Sequence, residues 1–330
     1  MANNPKPSAG TDTPGDTETG HRIFSVGGIM LAVAALLWLG AATVVSRHLA
    51  VPGFLMTGGN DVYGSHVPQD ATDDSDPQKA FEAKFDGVSI DAGDNRVAGW
   101  LIPAESRTAV LLIPPAGATR AAMLPYAKFL HAAGFPVFAI DSGDTLASGT
   151  DWGVRESARA LAAADWLKPR GYQKIAALGV SEGAAAALMA QAKQPAFAAI
   201  VADSPYANLG AMFRRIPSIS GLNPAFVMTV MWEARLWLGR NPDSVSPVNA
   251  ASHLGGVPLM IIQNRGDQTT PVSDGSAISA AAGASAEMWT APADGHGDAI
   301  YSVPDAYDAR VGQFLKGAIK EGPPKNLTPH

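Results

Sequence analysis

The hydrophobic pattern of the chain begins with one long apolar run. Residues 23–45 (IFSVGGIMLAVAALLWLGAATVV) contain no charged side chain, and Arg22 and Arg47 lie just outside them. About 20 consecutive apolar residues in a helix span the hydrocarbon core of a bilayer. A cleaved secretory signal has a shorter apolar segment, of about 7–15 residues, followed by a small-residue cleavage site. The run therefore predicts a single transmembrane helix, and a cleaved signal is the alternative.

Polar segments flank this run on both sides. Residues 1–22 are rich in Pro, Gly, Thr, Asn and Asp, and they offer too little apolar surface to offset the entropy of ordering. We predict a disordered tail there and another at 321–330. Residues 46–80, with a glycine pair and an acidic cluster, are interpreted as a linker. Lys6 and Arg22 precede the span and Arg47 follows it, which favours a cytoplasmic N-terminus and an extracytoplasmic main domain.

From residue 81 onward, short apolar runs alternate with helical patterns. Two β-like runs, 81–90 and 96–103, flank a turn. Further strands are predicted at 109–113, 136–140, 174–179, 196–202, 257–262 and 286–289, and helices at 121–133, 154–167, 184–192 and 305–319. Strands that are apolar on both faces indicate a mostly parallel sheet covered by helices. We therefore predict one α/β domain over residues 81–320.

One connection in this domain is much longer than the others. Residues 205–255 separate two predicted strands by about 50 residues, more than an ordinary crossover needs. Their apolar residues have helical spacing, so we predict a small helical cap, which would suit a lipophilic substrate. Two alternatives stay open: a helical patch that only completes the core, and contact with the bilayer beside the transmembrane helix.

Composition excludes several classes of protein. The formal net charge is -6 and there is no long run of Lys or Arg, which argues against nucleic acid as a partner. The chain has no cysteine, so disulfides, thiolate catalysis and Cys-ligated zinc are excluded. We expect no metal and no organic cofactor. The oligomeric state is not predicted.

A nucleophile motif follows the predicted strand at 174–179. Gly179-Val180-Ser181-Glu182-Gly183 is a G-x-S-x-G sequence between a strand and a helix, the context in which this motif indicates a nucleophile elbow. Glycines two residues before and after the serine relieve the crowding of such a strained turn. The helix N-terminus adds positive potential where an oxyanion would form. We predict Ser181 as the nucleophile and expect the Glu182 side chain to be solvated or at the pocket edge.

A serine nucleophile needs an imidazole base and an acid, and in proteins with this elbow both follow the serine in the chain. His296 lies between glycines after the last strand, whereas His253 precedes a strand and His330 is the C-terminal residue. Asp267 follows the strand at 257–262, and Asp203 ends the preceding strand. We predict His296 as the base and Asp267 as the acid, with Asp203 as the alternative acid.

The developing oxyanion needs two backbone N–H donors. One is expected from the elbow, at Glu182 rather than Val180. The other is expected after the strand at 109–113, where the chain reads Pro-Pro-Ala-Gly. Proline has no N–H to donate, so Ala116 or Gly117 must supply it, and we choose Ala116. Asp294 and Asp298 flank the histidine and are interpreted as loop-capping residues because no second group of ligands completes a metal site.

With these motifs in view, the chain from about 85 to 315 resembles bacterial α/β-hydrolases of the dipeptidyl-peptidase-like, membrane-anchored group. The similarity lies in GVSEG, ADSPYANL at 202–209, VSP at 245–247, NRGDQTTPV at 264–272, DGHGD at 294–298 and ATR at 118–120. It implies the α/β-hydrolase fold and a triad of Ser181, Asp267 and His296. The chain departs from the group where His-Gly is replaced by Pro114-Pro115 and by Gln263-Asn264.

These observations predict a membrane-anchored serine hydrolase that cleaves carboxylic esters or thioesters through an acyl-enzyme on Ser181. The expected partners are a small-molecule or lipophilic acyl substrate and, through residues 23–45, the membrane. Two alternatives remain: a serine peptidase that acts on short peptides, and a catalytically inactive hydrolase-like protein that binds a ligand.

Overall fold

A computed structural model describes residues 17–50, 76–93, 96–142 and 151–319, with the side chains of the first helix described from 27 to 47. Residues 1–16 and 321–330 of the two predicted tails, and residues 51–75 of the predicted linker, lie outside the described residues. The predicted turn at 91–95 is described except for two positions.

The centre of the structure is an eight-stranded sheet in the order β1-β2-β4-β3-β5-β6-β7-β8. The strands are β1 Asp86–Asp91, β2 Arg96–Ile102, β3 Thr108–Ile113, β4 Val137–Ile140, β5 Lys174–Val180, β6 Ala199–Asp203, β7 Leu259–Asn264 and β8 Ala286–Ala291. β2 pairs antiparallel with β1 and with β4, and every other pairing is parallel. The predicted α/β class with a mostly parallel sheet is confirmed.

Helices cover both faces of this sheet. They are α1 Thr17–Ala50, α2 Pro77–Phe81, α3 Leu124–Ala132, α4 Val154–Leu167, α5 Glu182–Lys193, α6 Leu209–Arg215, α7 Pro217–Ser220, α8 Pro224–Leu238, α9 Pro247–Ala251, α10 Val272–Ala282, α11 Ala299–Ser302 and α12 Pro304–Ala318. Residues of α4, α5, α9 and α10 fill the core on one face, and residues of α3 and α12 fill the core on the other. Because both faces are covered, β3 is buried at every position, which explains why all of its residues after Thr108 are apolar.

The N-terminal apolar run forms a helix longer than the predicted span. α1 extends from Thr17 to Ala50, so it begins before residue 23 and continues into the predicted linker. Its segment Gly27–Arg47 has a mean hydropathy of 2.3 and is long and apolar enough to cross a membrane. Most side chains of this segment are exposed, as expected of a helix that lies outside a protein core.

The long connection at 205–255 contains α6 to α9. α6, α7 and α8 share an apolar cluster of their own, which also takes in Trp152, Ala185 of α5 and Ala42 of α1. α9 instead contributes Ala250 and Ala251 to the core beside the sheet. The connection therefore has two parts, a helical layer over the start of α5 and a short helix that completes the core.

Candidate active site

The predicted nucleophile lies on a strained turn between β5 and α5. Ser181 has φ 54° and ψ -113°, a backbone conformation that non-glycine residues rarely adopt. Its N–H donates to the Asp203 carbonyl at 2.7 Å, and its own carbonyl accepts from Ala185 N–H at 3.1 Å. The first bond fixes the turn to the end of β6, and the second begins the helix. Ser181 thus projects at the carboxyl edge of the parallel strands.

This turn requires glycine at two positions where neighbouring backbone lies too close for a Cβ atom. A Cβ on Gly179 would lie 2.2 Å from the Gly183 carbonyl oxygen. A Cβ on Gly183 would lie 2.2 Å from the Ile113 carbonyl oxygen and 2.6 Å from that of Pro114. The start of α5 therefore packs directly on the end of β3, at the point where the loop with Ala116 begins. Both glycines of the motif are required by sterics.

The structure brings the three predicted triad side chains into one hydrogen-bonded series. His296 Nε2 lies 2.8 Å from Ser181 Oγ, and His296 Nδ1 lies 2.7 Å from Asp267 Oδ2. His296 and Asp267 are both buried. Distances of this size allow a proton to pass from the hydroxyl to the imidazole while the carboxylate orients the ring.

Asp267 is held as an ionised acceptor. Its Oδ1 accepts from the backbone N–H groups of Thr269 and Thr270 at 2.8 and 2.9 Å, and Thr270 Oγ1 donates to Oδ2 at 2.8 Å. Burial acts to raise the pKa of Asp267, but the hydrogen bonds and the charge of His296, together with the bonds from Thr270, outweigh it and lower the pKa below its ordinary value. A carboxylate that stays charged is suited to stabilising an imidazolium.

Backbone contacts tie the acid loop to the histidine loop. Arg265 N–H donates to the Ala291 carbonyl at 3.0 Å, and Gly266 N–H donates to the Ala293 carbonyl at 3.0 Å. Asn264 Nδ2 donates to the carbonyl of Gly295 at 2.6 Å. Asn264 belongs to the pair that departs from the resembling group, and here it positions the residue directly before His296. Asn264, which stands where the resembling group has a different residue, therefore helps to hold the histidine loop in place.

Asp203, the alternative acid, does not contact the histidine as a hydrogen-bond partner. Its carboxylate accepts from Tyr307 Oη at 2.8 Å and from Ser204 Oγ at 2.9 Å. Burial raises the pKa of Asp203 to about 6, although these two hydrogen bonds and the charge of His296 act to lower it. The geometry therefore favours Asp267 over Asp203 as the partner of the imidazole.

Sequence reasoning missed two side chains that support this centre. Ser204 has φ 53°, and its Oγ accepts from Gly297 N–H at 3.2 Å, which connects the end of β6 to the histidine loop. Thr270 Oγ1 lies 3.1 Å from His296 Nδ1 as well as beside Asp267. Thr270 lies three residues after the predicted acid, a spacing that could have drawn attention to it.

The prediction for the Glu182 side chain was wrong. It is buried, with 1% of its surface exposed, and its Oε1 accepts from Gly153 N–H at 3.2 Å. Gly153 also bonds Glu156 Oε2 at 2.8 Å, and its own Cβ position would meet Met189 Cε at 2.7 Å. The segment before α4 thus packs over the first turn of α5. The side chain is buried because this segment, distant in sequence, covers it.

The two predicted oxyanion donors lie on the first turn of α5 and in the loop after β3, two segments that pack together at Gly183 and Pro114. Glu182 is the first residue of α5, where the backbone N–H groups of a helix point out of its N-terminus. Ala116 lies in the loop after β3 and packs against the apolar cluster that includes Ala185. Gly117 has φ 67°, a left-handed conformation that turns this loop. Both predicted donors therefore belong to segments that meet beside the elbow.

The remaining candidates lie apart from the reacting groups. Asp298 directly precedes α11 and accepts from Ser302 Oγ at the other end of that helix, but its side chain makes no cap hydrogen bond, so the predicted capping role of Asp298 is not observed. His253 is exposed and contacts Asn249. Within the described residues, no group of three or more His, Cys, Asp or Glu could hold a metal ion. A cleft of about 590 Å³, lined by Pro258, Glu287 and Arg310 among others, lies at the opposite ends of β7 and β8.

The sequence model of a family described as the prolyl oligopeptidase family, Peptidase_S9, matches residues 143–321, a segment that contains the elbow, the acid and the histidine. No match was found among curated proteins.

Solved structures of several hydrolases are similar to this chain. An esterase of Pyrococcus furiosus is 25% identical with a TM-score of 0.60, over 74% of this chain and 94% of that one. A dienelactone hydrolase of Anabaena variabilis is 19% identical with a TM-score of 0.53, over 71% and 98%. An acylaminoacyl peptidase of Pyrococcus horikoshii is 13% identical with a TM-score of 0.56, over 76% of this chain but only 44% of the peptidase. These similarities confirm the predicted α/β-hydrolase fold.

Proposed function

The chain belongs to the prolyl oligopeptidase family of hydrolases, and on that premise we propose that it is a membrane-anchored serine hydrolase that cleaves carboxylic esters or thioesters. The observation that carries the proposal is the hydrogen-bonded series of Ser181, His296 and Asp267, at 2.8 and 2.7 Å. A serine hydroxyl is a weak nucleophile unless a base within reach removes its proton. This series supplies the base and orients it.

The proposed reaction proceeds through an acyl-enzyme. His296 Nε2 takes the proton of Ser181 as Oγ attacks the carbonyl carbon, and Asp267 stabilises the imidazolium. The N–H groups of Glu182 and Ala116 hold the oxyanion. The imidazolium then protonates the leaving oxygen or sulfur, and His296 activates a water that releases the acid product. No metal or organic cofactor takes part in these steps.

Two observations support an ester over a peptide substrate. The matched esterase aligns over nearly its full length, whereas the alignment leaves more than half of the acylaminoacyl peptidase without a counterpart in this chain. The helical layer of α6 to α8 also lines up apolar side chains next to Ala116 and Ala185, beside the elbow. An acyl chain would bury its surface against such a layer. A serine peptidase remains the second candidate because the matched family is described by a peptidase activity.

Anchoring is supported by α1, whose segment Gly27–Arg47 is apolar and long enough to span a bilayer. With the N-terminus in the cytoplasm, the catalytic domain is placed on the extracytoplasmic side. The mass of the protein purified from membranes tests this part, because an anchored chain retains residues 23–45. A mature protein that begins after residue 45 would identify a cleaved signal instead.

The catalytic proposal is tested on the full chain in detergent micelles. A fluorophosphonate probe, which reacts only with an activated serine, is expected to label the protein and to fail with Ser181→Ala. The matched control is Ser276→Ala, since Ser276 is an exposed serine of α10 and should leave labelling unchanged. Absence of labelling in the unmodified chain would refute the enzymatic proposal and favour a ligand-binding protein.

Substrate class is tested with p-nitrophenyl esters of increasing acyl length and with aminoacyl p-nitroanilides. We expect ester turnover that improves with acyl length and is lost in Ser181→Ala. Turnover of the anilides at a kcat/KM above that of the esters would favour the peptidase.

A further inference from the structure

The cap helix α8 lies along the C-terminal half of the apolar helix α1. Trp38 Nε1 donates to Thr229 Oγ1 at 3.2 Å, and the rings of Trp38 and Phe226 pack edge to face with their centroids 5.1 Å apart. Further along both helices, Ser46 Oγ donates to Glu233 Oε2 at 3.1 Å. Residue numbers rise together on the two helices, so they run parallel. α8 therefore accompanies α1 from about Trp38 to Ser46, which is about 12 Å along the axis at 1.5 Å per residue.

Charged side chains begin at the same level on both helices. No charged residue occurs in α1 between residue 23 and Arg47, and none occurs in the cap between Ile216 and Trp232. The first charged residue of α8 is Glu233, which contacts Ser46, the neighbour of Arg47. The Arg47 guanidinium lies 5.5 Å above the centre of the Trp237 ring. In both α1 and α8, therefore, the uncharged part of the helix ends and the charged part begins at the same level, although the two helices are distant in the chain.

One face of α8, from its uncharged part to the first charged turn, leaves large apolar side chains exposed. Met228 and Trp232 are 73% and 58% exposed, and Leu236 is 60% exposed. Their spacing of four residues places them on one face of the helix. Leu222, in the turn before α8, is exposed as well. A soluble protein rarely leaves such a contiguous apolar surface open to water.

This surface continues the exposed apolar surface of α1. The exposed side chains of that helix include Ile29, Met30, Leu31, Leu36 and Leu37, which lie on the N-terminal side of the contact with α8. If these side chains contact lipid, the adjoining face of α8 lies at the depth of the outer part of the span. One bilayer would then cover both surfaces at once.

In the turn between α7 and α8, backbone N–H groups are hydrogen-bonded within the protein, as a position in the bilayer requires. Asn223 caps α8 by accepting from Ala225 N–H at 2.9 Å. The N–H groups of Ser220 and Leu222 donate to the carbonyls of Ile216 and Ile219 at 3.0 and 2.9 Å. Backbone groups in hydrocarbon must find partners within the protein, because water is not there to replace them. The turn between α7 and α8 meets this condition at these positions.

We propose that the cap segment 216–232 inserts into the outer leaflet beside α1, with Leu222, Met228 and Trp232 in contact with lipid. The inference rests on the proposed anchoring of α1, and it adds a second membrane contact that belongs to the catalytic domain. The apolar cluster of the cap reaches Ala185 in the first turns of α5. A lipophilic ester could thus pass from the leaflet to the site along apolar surface.

Single cysteines provide the test, because the chain has none of its own. The full chain is labelled with an environment-sensitive fluorophore at Leu36→Cys, Met228→Cys, Leu236→Cys or Gln313→Cys and reconstituted into phosphatidylcholine–phosphatidylglycerol vesicles. Lipids with a nitroxide at the headgroup or deep in the acyl chain then report the depth of each label. Leu36 tests the anchor, and Gln313, an exposed residue of α12, is the control.

We expect acyl-chain nitroxides to quench the labels at 36 and 228 strongly, headgroup nitroxides to quench the label at 236, and neither to quench the label at 313. Quenching at 36 together with a label at 228 no more quenched than that at 313 would overturn the insertion and leave the anchor intact. Loss of quenching at 36 would refute the anchor itself. If the label at 228 is not quenched and unlabelled Met228→Cys in the same vesicles forms disulfide-linked dimers on mild oxidation, a second copy covers this face, which also overturns the proposal.

Discussion

The carboxyl group of Asp203 should make the stability of the protein depend on pH. It is fully buried at the end of β6, and burial raises its pKa to about 6 from an ordinary value of 3.8, despite hydrogen bonds from Tyr307 and Ser204. The substitution Asp203→Asn keeps the shape of the side chain and removes its charge. Comparison of the two proteins isolates the cost of the buried charge from all groups that they share.

The sign follows from proton binding. Between pH 3.8 and about 6, the folded state holds the proton of Asp203 while the unfolded state has lost it. Unfolding therefore releases a proton, and the free energy of unfolding falls as pH rises through this window. Above pH 6 the folded protein carries the full cost of the buried charge. The Asn variant carries none of it at any pH.

The magnitude follows from the same values. A pKa raised from 3.8 to about 6 corresponds to about 3 kcal/mol, since each pKa unit equals about 1.36 kcal/mol. For a domain of about 150–250 residues, 1 kcal/mol shifts Tm by about 2–4 °C, so the expected change is about 6–12 °C. Because the unfolded carboxyl has already lost more than half of its protons at pH 4, the Tm of Asp203→Asn minus that of the unmodified protein should increase by most of this amount, about 5–10 °C, between pH 4 and pH 7.5. Any constant cost of the amide cancels in this comparison.

The assay is thermal unfolding of the full chain in detergent micelles, followed by near-ultraviolet circular dichroism at several pH values. Asp294→Asn is the matched control because Asp294 is an exposed carboxylate two residues before the histidine. A difference in Tm between Asp203→Asn and the unmodified protein that stays constant from pH 4 to pH 7.5 would refute the reasoning. So would an increase of the same size in the control.

Three further predictions concern the candidate site. Asp267→Asn should slow fluorophosphonate labelling about 10³–10⁴-fold, because the amide no longer fixes the imidazole or stabilises its charge, whereas labelling within tenfold of normal would exclude Asp267 as the acid. Thr270→Val should slow labelling about tenfold, the equivalent of one charged hydrogen bond of about 1.5 kcal/mol, and an unchanged rate would make its contact incidental. Gly183→Ala should lower Tm by the equivalent of about 1–3 kcal/mol or prevent folding, since its Cβ would meet Ile113; Gly312→Ala, with open space at its Cβ, is the control, and equal Tm values for the two would contradict the packing argument.

The sheet and the elbow could be predicted because their signals are local. β3 and β5 are apolar at nearly every position, which is what burial on two faces requires. Gly179 and Gly183 are fixed by contacts within a few residues of the turn and with the neighbouring strand. The loops with Asp267 and His296 follow strands whose carboxyl ends lie at the same edge of the sheet. The order of strands and loops along the chain was therefore enough to predict that these two residues lie close together.

The surroundings of these groups could not be predicted in the same way. The burial of Glu182 depends on Gly153 and the segment around it, which precede the elbow by a whole helix and a strand. Nothing in the elbow sequence indicates that this segment folds over it. Ser204 likewise directly follows a strand, and nothing in the sequence distinguishes it from other serines. Only the tertiary structure brings the histidine loop to it, so that Ser204 Oγ accepts a hydrogen bond from Gly297 N–H. Both roles arise from tertiary contacts between parts of the chain that share no pattern.

The contact between α1 and α8 could not be predicted from the sequence, because the apolar run gives no indication of which face packs against another helix. Every residue from 23 to 45 is uncharged, so hydropathy alone does not distinguish the side of α1 that packs against protein from the side that stays exposed. The structure selects the face of Trp38, Ala42 and Ser46, four residues apart, and Ala42 and Ser46 are fully buried there. On the cap, Glu233 indicates where this face makes contact. It is a carboxylate at the end of an uncharged helix segment, it needs a polar partner, and that partner is Ser46. In this chain the polar pair of Ser46 and Glu233 therefore marks a helix contact that the surrounding apolar residues do not reveal.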